Sequence, residues 1–166
     1  MEAGDVQRFC AVFEKIKAGF DSRHKDGLIC KQGFYDHCPV VKLQRASWTN
    51  DRMDRVQNES GIFFSVWIDK DAARKNRANY NIHALKLRQL QGYSITSRDF
   101  ANDFRDGFAS MRDAWPNVSV DYGPQTLMQG WIEIVPKDFE EDTLVLLERF
   151  RLVSRLIDRL LESRRN

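Results

Sequence analysis

The residues of this chain best suited to chemistry are its histidines, cysteines and clustered cations. Four soft ligands, His24, Cys30, His37 and Cys38, fall within fifteen residues. Zinc favours closely spaced pairs such as Cys-x2-Cys, whose side chains converge on one tetrahedral point. That spacing is missing here, and adjacent His37 and Cys38 would project from opposite faces of a strand. The four therefore read as free thiols and solvated loop histidines, with no metal and no cofactor expected. His83 has the side chain for a general base near neutral pH. Its one foreseeable carboxylate partner is Asp69, if the strands carrying the two residues pair. No Gly-rich phosphate loop, nucleophile elbow or zinc-protease helix motif is present.

Charge is distributed unevenly. Residues 1–100 carry 17 basic and 12 acidic side chains, whereas residues 101–166 carry 9 basic and 12 acidic ones. The excess peaks at Lys70, Arg74, Lys75, Arg77, Lys86 and Arg88, six cations interleaved with Asn76, Asn79 and Tyr80. Such a segment suits contacts to phosphate oxygens with stacking on a base. Aromatic residues supply another feature. In the run 62–68, Ile62, Phe64, Val66 and Ile68 alternate as a core face, and the opposite face keeps Phe63 and Trp67. Leu127, Trp131 and Val135 extend that second face from a neighbouring strand. An aromatic outer face is either covered by another element or offered to a partner.

These residues depend on elements whose periodicities are legible. Val6, Phe9, Cys10, Phe13, Ile16 and Phe20 recur on one helical face, predicting a helix over about 5–22 with Asp5 as its cap. Extended segments follow at 33–35 and 40–43, then a turn-rich stretch from Thr49 to Gly61 that reads as a mobile loop, and the strand at 62–68. Residues 80–87 read as a strand pairing with 62–68, although Ala84, Leu85 and Leu87 also suit a helix. Phe100, Phe104, Phe108 and Met111 share a face of a central helix opened by Thr96 or Ser97. A hairpin of 118–122 with 126–135 comes next. The long C-terminal helix, about 138–163, opens with Asp138 and Glu141 in a capping-box pattern. The order α-β-β-β-(β)-α-β-β-α predicts an α+β fold: an antiparallel sheet of about 5–6 strands under three main helices, in a single domain over 1–166.

Length and composition agree with that class. The chain has 166 residues, 42% hydrophobic and 30% charged, with a formal net charge of +2. That is enough apolar mass for a core and too little charge for a dedicated nucleic-acid coat. No apolar run approaches a membrane span, the N-terminus lacks the pattern of a secretory signal, and three cysteines form no disulfide framework. The expectation is a cytoplasmic, non-enzymatic interaction or regulatory module of inhibitor or immunity type. It binds a protein partner or a second copy of itself through Phe63, Trp67 and Trp131, with no membrane partner. Nucleic-acid binding through the 70–88 cations is the alternative, and a small enzyme centred on His83 is the next.

Overall fold

The computed structural model describes all residues from Met1 to Asn166. Helix α1 (Ala3–Arg23) precedes strands β1 (Ile29–Tyr35), β2 (Cys38–Gln44) and β3 (Gly61–Trp67). A short helix α2 (Lys70–Arg74) leads to β4 (Arg77–Leu85), followed by α3 (Ser97–Phe108), β5 (Thr126–Glu133) and α4 (Phe139–Glu162). The five strands form an antiparallel sheet in the order β1-β2-β3-β4-β5, each strand beside its neighbour in sequence. The fold is α+β.

Periodicity explains which face is covered. Phe9, Phe13, Ile16 and Phe20 of α1 point the same way because their spacing follows the helical repeat. They join Phe104 and Phe108 of α3, and Leu147 and Phe150 of α4, in one core with Val41, Leu43, Ile62, Phe64 and Tyr80 of the sheet. Phe64 stacks on Phe150 at 4.7 Å between ring centroids, and Trp48 meets the same Phe150 edge-on at 5.9 Å. The three long helices thus lie on one face, and no helix covers the other.

Several boundaries differ from the sequence reading, each for a local reason. α1 starts two residues earlier than expected, so Asp5 sits inside its first turn and the Glu2 carbonyl receives the Asp5 and Val6 amides. The Asp138 side chain makes no capping bond. The chain already turns at Val135, whose carbonyl accepts from the amides of Asp138 and Phe139 (2.9 and 2.8 Å). The basic connection after β3 contains α2, capped where Asp69 accepts from the Ala72 amide at 2.7 Å. The expected strand at 118–122 is reduced to one bridge between Ser119 and Gln129. Asn117 at φ +56 and a tight Val120–Tyr122 turn curl this segment away after a single pair.

The loop from Thr49 to Ser60 is fastened. Asp51 accepts from the amides of Glu59 and Ser60 (2.8 and 3.0 Å) and from the Ser60 hydroxyl (3.1 Å). It re-enters the sheet through Gly61 at φ +92, where a Cβ would come within 2.3 Å of the Trp48 carbonyl oxygen. Only glycine fits that turn.

Candidate functional site

Strand register assembles the helix-free face in rows. Lys31, Lys42, Ser65, Asn81 and Gln129 are successive partners across all five strands, so their side chains form one polar row. Gly33, Val40, Trp67, Asn79 and Trp131 form the row on one side. Phe63, His83 and Thr126 form part of the row on the other. Above the central strands lies a cavity of about 370 Å³, with Tyr35, Val40, Lys42, Phe63, Ser65 and Trp67 among its walls. His83 and Leu85 close one end, and Cys38, Asp36 and Asp69 border the other.

The row holds an unusual cation. Lys42 is 2% exposed, and its Nζ lies 4.7 Å from the Tyr35 ring centroid and 4.3 Å from that of Phe63. Its one hydrogen bond runs to Asn58 Oδ1 at 3.2 Å, and no carboxylate pairs with it. Burial, reinforced by the neighbouring Lys31 charge and opposed by Asp51, brings its pKa down to about 8. Lys31 is also buried but better satisfied, donating to Gln44 Oε1 (3.1 Å) and to the Arg55 carbonyl (2.8 Å). Asn58 fixes this corner by also donating to Gln44 Oε1 at 3.0 Å. The fastened loop therefore packs on the two lysines, with the Arg55 carbonyl on Lys31 and Asn58 on Lys42.

From Ser65 the face continues as a hydrogen-bonded chain to Asn81 and His83. Ser65 Oγ donates to Asn81 Oδ1 (2.6 Å), and Asn81 Nδ2 donates to His83 Nε2 (2.8 Å). This leaves His83 Nδ1 as the proton-bearing nitrogen, facing the Gln125 carbonyl at 3.2 Å. Burial lowers the His83 pKa, opposed by the Gln125 carbonyl and aided by the Lys42 charge. The Nε2 lone pair that a general base needs is engaged by Asn81. The proposed Asp69 partner does not reach it. Asp69 uses one oxygen on the Ala72 amide and the other on the Trp67 indole N–H (3.3 Å), and it follows the opposite end of β3 from Phe63, the register partner of His83.

The other expected sites separate. Phe63 is 4% exposed under Lys42, whereas Trp67 is half-buried at the cavity wall. Trp131 shares the Trp67 row but carries the Arg77 guanidinium 3.5 Å from its ring centroid. Leu127 is turned into the core by a bulge opposite Ile82 and His83, and Val135 lies past the end of β5. Lys70, Arg74, Lys75 and Arg77 gather at one end of β4, with Arg74 paired to Asp71; Lys86 and Arg88 lie at the other end. Nine residues at about 3.3 Å each separate the two groups by roughly 30 Å. His24 bonds Glu148, Cys30 is buried with its thiol pushed up to about 12, His37 sits in the β1–β2 turn and Cys38 opens β2 opposite Tyr35. No three metal-ligating side chains come together.

Lys42, Asn58, Ser65 and Asn81 are the site residues that sequence reasoning missed. The available signal was Val40-Lys42-Gln44, the face of β2 opposite the buried Val41 and Leu43, next to a strand whose outer face is aromatic. No helix is long and apolar enough to cross a membrane. Comparison with known protein families, characterised proteins and solved structures finds no match.

Proposed function

We propose that the chain is a non-enzymatic binding module that recognises a protein partner through the helix-free face of its sheet, in a regulatory role of inhibitor or immunity type. The observation that carries this reading is the cavity of about 370 Å³ on the face that no helix covers, walled by Tyr35, Phe63 and Trp67. Aromatic side chains around a depression are the usual anchors of protein recognition, because they bury much area at little entropic cost. The bonded state of His83 weighs against a His83-centred enzyme. The roughly 30 Å between the two cation groups weighs against one continuous phosphate-binding track.

The test is affinity capture from the lysate of the chain's own host, comparing wild type with Trp67→Ala. A stoichiometric protein retained at high salt by wild type and lost by Trp67→Ala, with the circular dichroism spectrum unchanged, is the expected result. Recovery of nucleic acid that elutes as salt rises, or a partner indifferent to Trp67, overturns the proposal.

A further inference from the structure

Lys42 gives the cavity a chemical preference. A buried ammonium ordinarily has a carboxylate partner or several hydrogen bonds, because losing its hydration is costly. Lys42 is 2% exposed yet has one hydrogen bond, to Asn58, for its three donors. Two rings, Tyr35 and Phe63, supply the rest of its contacts. Lys31 beside it adds a second positive charge, and neither lysine has an ion pair. The free N–H capacity of Lys42 has one outlet, the cavity that its side chain lines.

The surroundings narrow the class of anion. No arginine lines the cavity, so the forked donor set that favours phosphate is missing. Asp36 and Asp69 stand at the rim, where they repel polyanions. One ammonium flanked by aromatic rings fits a single negative charge on an apolar body. We infer that the cavity holds a carboxylate of the partner protein against Lys42, with an adjoining apolar side chain lodged among Tyr35, Phe63 and Trp67. This rests on the reading of the cavity as the recognition site. Two sources present that chemistry, a chain terminus or an acidic side chain.

Three capped dipeptides separate these cases by calorimetry at pH 6.5. N-acetyl-glycyl-phenylalanine offers a terminal carboxylate, N-acetyl-glutamyl-phenylalaninamide a side-chain carboxylate, and N-acetyl-glycyl-phenylalaninamide none. The expected result is that at least one acid binds about tenfold to a hundredfold more tightly than the neutral peptide, the range for a charge-assisted bond. The stronger acid identifies the source. Lys42→Met, which keeps the length and apolar stem, should erase the difference between the acid and neutral peptides. Should that variant not fold, the wild-type Lys42 Cε resonance serves instead. Its titration, read with those of Lys31 and His83, should move to higher pH with the acid and stay fixed with the amide. Equal binding of acid and amide, an unchanged ratio in Lys42→Met, or no binding of any peptide overturns the inference. The two readings fail separately. A protein captured through Trp67 by wild type and Lys42→Met alike removes only the carboxylate. Acid peptides that bind at Lys42 while no protein is captured through Trp67 remove only the partner.

Discussion

Lys42 carries a cost in the unliganded chain that the proposed recognition role would explain. Its pKa is about 8 in the folded state against 10.5 for a free lysine side chain. The folded chain therefore binds fewer protons than the unfolded one between those values, and stability rises with pH across that window. Below pH 8 the penalty is fully present, about 3 kcal/mol at 1.36 kcal/mol per pH unit. The groups that set it are Lys31 and Asp51 together with the burial, and His83 faces the same cavity. Lys42→Met removes the penalty but also the Asn58 bond and two ring contacts, each worth about 1 kcal/mol or less. The variant should be more stable than wild type by about 1–2 kcal/mol at pH 7, and the gain should shrink by pH 10. Urea unfolding of both proteins at the two pH values measures this. A variant less stable than wild type at pH 7, or a gap that ignores pH, would show that Lys42 is satisfied as it stands. Sequence reasoning reached Phe63 and Trp67 beside this lysine because alternation along β3 is local. It passed over Lys42 because a lysine between Val41 and Leu43 looks like an ordinary solvated strand position. The neighbours that bury it come from β1, β3 and a loop.

Among the elements, the segment between β2 and β3 decides whether the lysines are buried at all. Its turn-rich residues predicted a loop, but one expected to be mobile, because the contacts that fasten it could not be foreseen. Asp51 closes the loop on Glu59 and Ser60, which places Asn58 on Lys42 and Arg55 on Lys31. Despite the burial that would raise it, these hydrogen bonds hold the Asp51 carboxyl below its ordinary pKa. Asp51→Ala should cost about 1–3 kcal/mol, since it leaves the Glu59 and Ser60 amides without their acceptor. The damage should also be local. Hydrogen exchange should accelerate over residues 51–60 and at Lys31 and Lys42, with α4 little changed. Uniform acceleration across the molecule would mean that the loop is an integral part of the core. The contrast with the long helices is instructive. α1 and α4 were legible to within about two residues because each repeats its own apolar stripe. The second hairpin was not, because pairing depends on where a distant strand stops, and the tight Val120–Tyr122 turn takes the chain away after one bridge.

For the molecule as a whole, one core serves two purposes. The α+β class and the order of the main elements followed from the sequence, because every helix needed one sheet face to cover its stripe. What this division leaves is a free face backed by a rigid layer. Residues of α1, α3, α4 and the five strands belong to one buried cluster, and Phe150 sits at its centre between Phe64 and Trp48. Unfolding should therefore be a single cooperative transition. Phe150→Ala should lower its stability by about 3–5 kcal/mol, the range for emptying an aromatic core site. Trp48 and Trp115 lie in that core, so their fluorescence should follow the helical circular dichroism at one midpoint in both proteins. A ligand seated on Lys42 contacts the back of the same sheet, and it should raise that single midpoint. At a hundred times its dissociation constant the gain is about 2.7 kcal/mol. Separate midpoints for the two signals would show that the helices and the sheet unfold independently. In that case ligand at Lys42 would protect the sheet alone, and tryptophan fluorescence and helical dichroism would respond to it unequally.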